Sequence, residues 1–286
     1  MYPRWVLWAE LGIVVVVSGA FLSLGYLLCK RHRWAKYAAV TIGAVCLLYR
    51  ILTSTFPHRF YIKLPYLVRS GVITPAGFLL LAAALALTMQ KSRQRVLVGV
   101  FSVVLTYYVF CDVAYLVVKG PAIARLTGRW EQETMRQSKL FTCGPAAGAT
   151  LLRAWGIQVT EGELAFAART SFRGTELPLL ADAVRNFGRR KPLTVKILST
   201  TFESLAEIDR PAILLVAKEG RRRHAVTLLK MWDGRVLIAD PGKGSCHLSL
   251  SDFERHYKWN GRAIVAWRDP AFDRRSDEPR DPTLRD

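Results

Sequence analysis

The chemistry-bearing stretch of the chain is Gln137-Ser-Lys-Leu-Phe-Thr-Cys143-Gly144-Pro145-Ala146-Ala147. Cys143 stands immediately before a run of small residues that reads as a helix start. A thiol at that position sits at the positive end of the helix dipole, beside backbone N–H groups without intrahelical partners. Both lower its pKa and make it a better nucleophile. The same N–H groups, with a nearby side-chain amide, can hold a developing oxyanion. Cys143 is therefore a candidate nucleophile and Gln137 a candidate oxyanion donor. A single cysteine is more often a small buried hydrophobe, so the assignment requires a base elsewhere in the chain.

His224 and Asp240 answer that requirement. His224 opens the apolar strand His224-Ala-Val-Thr-Leu-Leu229, and Asp240 ends the next one in Ile238-Ala-Asp240-Pro241-Gly242. Asp233-Gly234 between them is a strong hairpin signal. Pairing about that turn brings His224 and Asp240 to the same edge of a sheet. A carboxylate there orients the imidazole and stabilises its protonated form while the other ring nitrogen faces a thiolate. Taken singly, each also fits a plainer role, His224 as a strand-edge histidine and Asp240 as a turn residue before Pro241. The other histidines are weaker choices. His32 and His58 flank apolar segments, His247 follows Cys246 in a loop, and His256 ends a helix.

The elements that must position these residues are legible in the second half of the chain. A helix is predicted from Gly144 to Trp155, stopped by Gly156. Thr160 with Glu163 three residues on forms a capping box for a helix from Glu161 to Arg169. Another helix runs from Glu176 to Phe187. Strands follow at Leu193–Leu198, Ala212–Ala217, Ala225–Met231 and Val236–Ala239. Ser251 caps a short helix to His256, and Ala263–Trp267 is a closing strand. Helices first and an antiparallel sheet second give an α+β domain over residues 137–268. Residues 121–136 read as a linker or short amphipathic helix. Residues 269–286, rich in Arg, Asp and Pro, read as a disordered tail.

The first 120 residues differ in kind. The chain has 286 residues, 51% of them hydrophobic and 22% charged, with a net charge of +19. Apolar and charged residues are segregated. Spans at about 8–29, 37–56, 72–89 and 96–118 are predicted to cross a membrane, forming an all-α transmembrane domain of about four helices. The basic residues between them fit loops at membrane surfaces better than nucleic-acid contacts, for which no signature is present. Lys30, Arg31, Arg33, Lys36, Lys91, Arg93 and Arg95 crowd two short loops, while Arg59, Lys63, Arg69, Lys119 and Arg125 are spread over longer segments on the other side; that density favours the short loops in the cytoplasm and the C-terminal domain outside it. Three ionisable residues inside the spans, Glu10, Arg50 and Asp112, fall at similar depth and are expected to pair. The five cysteines form no disulfide framework. No HExxH or paired-Cys motif calls for a metal, and no cofactor is expected.

The order glutamine, cysteine at a helix start, histidine, aspartate is that of a papain-like thiol protease. Beyond that order, the second half resembles the C39 peptidases, which remove double-glycine leaders from bacteriocins and related exported peptides. The matching stretches are Gln137 with Cys143-Gly-Pro-Ala-Ala147, Gly174-Thr175 through Leu180-Ala-Asp-Ala183 to Gly188, His224-Ala-Val226, Asp240-Pro241, and Leu248-Ser-Leu-Ser-Asp-Phe253 to Gly261. The resemblance covers about residues 132–268. It implies a papain-like fold with Cys143 as nucleophile, His224 as base, Asp240 as its orienter and Gln137 in the oxyanion hole. The family usually carries an acidic residue just before the cysteine, where this chain has Thr142. Many relatives are fused to an ABC transporter. This chain has no ATPase segment, and Gly242-Lys243-Gly244-Ser245 lacks the spacing of a phosphate loop, so energy-driven export would need a separate transporter partner.

The expected function is a membrane-bound cysteine endopeptidase acting on a leader or precursor peptide. Two alternatives use the same residues differently. One is a peptidase-like module that only holds leader peptides for a transporter. The other is a membrane thiol sensor with Cys246 as the resolving partner of Cys143.

Overall fold

The computed structural model describes residues 4–55, 73–88, 93, 96, 97, 99, 100, 115–189, 191–218 and 222–268. The chain divides into two compact units, Met1–Pro121 and Ala122–Asp286. The first contains helices α1 (Arg4–Arg31), α2 (Arg33–Thr55) and α3 (Ile73–Thr88). They meet through mostly small residues: Cys29, Ala35, Ala39 and Ala84 form a buried cluster with Leu80. A Cβ on Gly43 would stand 2.9 Å from the Gly77 carbonyl oxygen, so α2 and α3 approach almost backbone to backbone.

Among the described residues, no helix is long and apolar enough to cross a membrane. The expected all-α transmembrane domain is therefore not supported by the described helices. α3 has 16 residues, about 24 Å of helix, which falls short of a hydrocarbon core of about 30 Å. α2 carries Arg33 and Lys36 in its first turn. Most of the expected fourth span, the loop 57–71 and the tail 269–286 lie outside the described residues, as does Asp112; the side chains of Glu10 and Arg50 do too.

The second unit is built on a six-stranded antiparallel sheet of order β3-β8-β4-β5-β6-β7. Its strands are β3 (Leu193–Ser199), β4 (Ala212–Lys218), β5 (Arg222–Trp232), β6 (Arg235–Asp240), β7 (Gly244–Ser249) and β8 (Tyr257–Arg268). Alternation along the strands separates two cores. Val195, Ile213, Ala225, Ile264 and Ala266 face helices α4 (Cys143–Ala154), α5 (Glu161–Ala167) and α6 (Leu177–Gly188). Leu214, Val216, Val226, Leu228, Val236, Ile238 and Val265 pack on the other side, with Phe202 and Leu205 of α7 (Phe202–Ile208) and Phe253 of α8 (Leu250–His256).

Local sequence explains most of this. Asp233 and Gly234 both take positive φ, 42° and 70°, which is the two-residue turn whose twist suits a hairpin. Thr160 caps α5 with the expected box: its side chain accepts from Glu163 N, and the Glu163 carboxylate accepts from Thr160 N. α6 begins one residue later than expected, with Glu176 as N-cap.

Three stretches differ from the sequence reading. The segment read as linker or amphipathic helix contains a hairpin, β1 (Arg129–Glu131) with β2 (Thr134–Arg136). Met135 inside it is fully buried against Ala146 and Ala149. Residues 244–249, read as turn and loop, pair with β6 along its whole length. The short helix α8 is capped by Ser249, whose hydroxyl accepts from Asp252 N at 3.1 Å, rather than by Ser251. In the first two cases pairing partners distant in sequence decide the structure, which local propensity does not carry; in the third the choice between two nearby serines is local.

Candidate active site

α4 begins at Cys143 and is the buried axis of the domain. Every residue from Gly144 to Leu152 is buried, because glycines and alanines let the helix press into its neighbours. Pro145 occupies the first turn, where its missing N–H costs nothing. The Cys143 thiol is half-buried at this helix start.

Two threonines lock the surroundings onto α4. Thr150 Oγ1 accepts the Met135 N–H at 3.0 Å and donates to Ala146 O at 3.0 Å, fixing β2 to the helix. Thr227 Oγ1 donates to Ala147 O at 2.9 Å, and the residue is fully buried. Thr227 lies on β5 three residues after His224, and Ala147 lies four residues after Cys143. This bond therefore sets strand against helix close to where Cys143 and His224 come together.

His224 Nε2 lies 2.7 Å from Asp240 Oδ1, and the ring is close enough to Cys143 for the thiol to raise its pKa alongside Asp240. The imidazole thus stands between carboxylate and thiol. Asp240 is fully buried and fully satisfied. Its Oδ1 also accepts from Gly242 N at 2.7 Å, and its Oδ2 accepts the Tyr257 hydroxyl at 2.7 Å.

The hairpin brings the pair together only because β5 contains a bulge. Pairing runs Trp232↔Arg235, Met231↔Val236 and Lys230↔Leu237, then shifts to Leu228↔Ile238 and Thr227↔Ala239. Leu229 is the extra residue. Opposed residues share a sheet face, and a shift of one residue reverses faces. With the bulge, His224 is on the face of Leu228, Ile238 and Asp240. Without it, Asp240 would share its face with Ala225 and Thr227, and His224 would be on the far side.

The electrostatics follow from these contacts. Burial by itself would lower the His224 pKa, but hydrogen bonds and charge from Asp240 and Cys143 raise it from 6.5 to about 9. Burial would raise Asp240, yet His224, Tyr257 and the Gly242 N–H together hold it well below the usual carboxylate range. Burial would likewise raise Cys143, and it is overcome by the His224 hydrogen bond and charge and by the N–H groups of Ala225 and Gly144. The net effect is a lowered thiol. A thiolate facing an imidazolium is the resting form these shifts favour.

Gln137 lies on the loop between β2 and α4. Its backbone N–H donates to Pro241 O at 3.0 Å, which ties this loop to the turn after Asp240. Its side-chain Nε2 donates to Lys139 O at 3.0 Å, and its Oε1 is buried without a partner. Thr142, in the place of the acidic residue usual before the cysteine, is fully buried. Its hydroxyl accepts from Lys139 N at 3.1 Å and donates to Lys139 O at 2.8 Å. A carboxylate could accept the first of these but not donate the second, so the threonine closes the Lys139–Thr142 turn in both directions.

Sequence reasoning missed Tyr257, Glu161, Ser138 and Thr227. None carries a local signal, since each acts on a partner at least 17 positions away. Cys246, considered as a resolving thiol, is half-buried and free, and burial raises its pKa, with the Asp240 charge adding to the effect. A raised thiol is a poor nucleophile at neutral pH. His247 packs edge-on to Trp232, with ring centres 5.6 Å apart, and takes no part in the cluster. Among the described residues, no group of three or more His, Cys, Asp or Glu could hold a metal ion.

Known proteins with related sequence agree on the same half of the chain. An uncharacterized protein of Methanothermobacter thermautotrophicus is 32% identical over 134 residues, covering 47% of this chain and 89% of that one. The lactococcin-G-processing and transport ATP-binding protein LagD of Lactococcus lactis is 27% identical over 119 residues, 42% of this chain and 16% of that protein. Among solved structures, the peptidase domain of Streptococcus ComA, a bi-functional ABC transporter involved in a quorum-sensing pathway, aligns at 19% identity with a TM-score of 0.42. It covers 49% of this chain and 100% of that domain. A double glycine motif protease from an AMS/PCAT transporter, in complex with its leader peptide, aligns at 22% identity with a TM-score of 0.41, over 50% of this chain and 94% of that one. Residues 131–271 match the Peptidase C39 family, and through them the chain belongs to that family.

Proposed function

We propose that the chain is a cysteine endopeptidase that removes a leader segment from a peptide precursor. The observation that carries this reading is the His224–Asp240 hydrogen bond beside Cys143 at the start of α4, with His224 raised and Cys143 lowered. The Cys143 thiolate attacks the scissile carbonyl, forming a carbon–sulfur bond and sending the carbonyl electron pair to oxygen. The Cys143 N–H at the helix start and the Gln137 amide receive that oxyanion. His224, protonated, gives its proton to the departing amine as the carbon–nitrogen bond breaks. Water then attacks the acyl-enzyme with His224 as base, releasing the acid and the thiolate. Asp240 keeps the ring oriented and supports its charge in both halves.

The membrane attachment belongs to the same reading. α1 is 28 residues long, about 42 Å of helix. Within it Ile13, Val15, Val16, Phe21, Leu22, Leu24, Leu27 and Leu28 are all exposed. Exposed apolar side chains along a long helix fit a lipid environment better than water. The distribution of Lys and Arg favours the peptidase on the outer face. A separate ABC transporter is the fitting partner for export of the processed peptide.

The test is incubation of the purified protein with small secreted-peptide precursors encoded near its gene, followed by mass spectrometry of the products. Cys143→Ala should abolish cleavage, and Gln137→Ala should lower turnover by roughly 10²–10³-fold. Full cleavage by Cys143→Ala would end the peptidase reading. Retained precursor binding with no cleavage by the unmodified chain would favour the leader-binding alternative.

A further inference from the structure

We propose that Glu161 is a positioning residue for the oxyanion side of the site, acting through Ser138; this rests on the assignment of Gln137 as oxyanion donor. Glu161 is fully buried, an unusual place for a carboxylate unless both oxygens are paired. Both are. Oε1 accepts the Ser138 N–H at 2.8 Å, and Oε2 accepts the Ser138 hydroxyl through a short bond. Room for the carboxylate comes from Gly128, where a Cβ would stand 3.2 Å from Glu161 Oε2.

The placement matters because Ser138 N belongs to the same peptide plane as the Gln137 carbonyl. The peptide plane on the other side of Gln137 is held by its own N–H on Pro241 O at 3.0 Å. Gln137 is therefore pinned at both flanking peptides, once by the turn that carries Asp240 and once by Glu161. Only its side chain is left to adjust. Removing Glu161 frees one of the two planes, and displacement of a positioned donor by about 1 Å can cost as much as 10²-fold in rate. The relay of Cys143, His224 and Asp240 does not touch Glu161, so it is unaffected.

The experiment uses the 286-residue chain and two probes of the thiol. Iodoacetamide alkylates Cys143 without building an oxyanion. A peptide aldehyde adds the thiol across its carbonyl, forming a carbon–sulfur bond and an oxygen that needs the donor. Glu161→Leu should lower kcat by about tenfold with little change in KM. It should weaken the aldehyde in parallel and leave the alkylation rate unchanged. Glu161→Gln should recover most of the loss, since its Oε1 accepts one Ser138 donor and its Nε2 donates to the hydroxyl oxygen. Ser138→Ala, which removes one of the two bonds, should show the same pattern at smaller amplitude and serves if Glu161→Leu does not fold. Aldehyde affinity unchanged in Glu161→Leu or Ser138→Ala, while Gln137→Ala weakens it, overturns the proposal. So does a parallel fall in alkylation, which would mark general damage to the site. If Gln137→Ala itself leaves the aldehyde unaffected, the oxyanion assignment fails first and this inference falls with it.

Discussion

Tyr257 donates its hydroxyl hydrogen to Asp240 Oδ2 at 2.7 Å while His224 occupies Oδ1, so the carboxylate is shared between an imidazole and a core tyrosine. Tyr257 is itself buried, stacked on Phe253 at 5.2 Å between ring centres, and that contact sets the direction of the hydroxyl. Its own ionisation is driven upward, by burial first and by the Asp240 hydrogen bond and charge next, so it remains a donor across the working pH range.

Tyr257→Phe keeps the packing and removes this donor. A buried charged acceptor then loses one of its partners, at a cost of about 1.5–3 kcal/mol. A urea midpoint lowered by that amount divided by the slope, with the slope itself unchanged, is the expected result. An unchanged midpoint would mean that water replaces the hydroxyl freely.

The Cys143 thiol should react with iodoacetamide well below the pH at which an ordinary cysteine does, because it is held below its usual value of 9. Burial opposes that lowering, and His224 is the main source of it. His224→Ala should therefore shift the inflection of the alkylation rate upward, above that of the unmodified protein. An inflection that stays put would assign the lowering to the helix start alone.

Stability should depend on pH through the same groups, with signs that oppose one another. His224 is raised from 6.5 to about 9, so its contribution is full below pH 6.5 and is lost as pH rises through 9. Cys143 is lowered, so its contribution is present above pH 9 and declines as pH falls. The two overlap in the unmodified protein and partly cancel. Cys143→Ala removes one of them and leaves the His224–Asp240 pair. Asp240 is lowered from 3.8, so its contribution is present above that value and fades below it. The variant should show a plateau from roughly pH 4 to 6.5 and a decline on either side, read as urea midpoints across pH. A flat alkaline limb would show that His224 is neutral in the fold.

Deleting Leu229 should leave both cleavage and the alkylation inflection close to those of the unmodified protein. With the extra residue gone, Lys230↔Leu237 is followed directly by Leu228↔Ile238 and Thr227↔Ala239, so every opposed pair is kept and His224 stays on the face of Asp240. An alkylation inflection that matches that of His224→Ala would mean instead that β5 slips by one residue against β6 when the bulge is lost.

The sequence carries the relay itself, because each member has a local signature: a small-residue helix start after Cys143, a hairpin turn at Asp233-Gly234, a strand-ending Asp240 before proline. It carries α4, α5, α6 and the central strands for the same reason. It does not carry β7 or the β1–β2 hairpin, whose stability comes from partners far along the chain, such as Thr134 with Ser245 at 2.6 Å. Nor does it show the supporting shell. Tyr257, Glu161 and Thr227 act through single long-range hydrogen bonds that no spacing rule anticipates. The bulge had one visible trace, the adjacent pair Leu228-Leu229 that breaks strand alternation. The membrane segments were read from hydropathy alone, and the described helices do not support four spans, since hydropathy fixes neither helix length nor where a helix breaks.

Gly162 has a consequence for where this domain can be cut. A Cβ there would stand 2.5–2.7 Å from the carbonyl oxygens of Leu126, Ile123 and Ala124, and its N–H donates to Leu126 O at 2.7 Å. Residues 123–126 therefore lie flush against the start of α5, next to Glu161, ahead of the first residue of the family match at 131. Alanine at 162 would gain about 1 kcal/mol of helix propensity elsewhere. Here it must push backbone aside, and a net loss of about 1–3 kcal/mol in stability, read from urea unfolding, is expected. A gene fragment that begins at residue 131 would strip this strap from α5 and expose Ile123's socket. One that begins at 122 would keep it, so the natural excision point lies upstream of the boundary that sequence similarity marks.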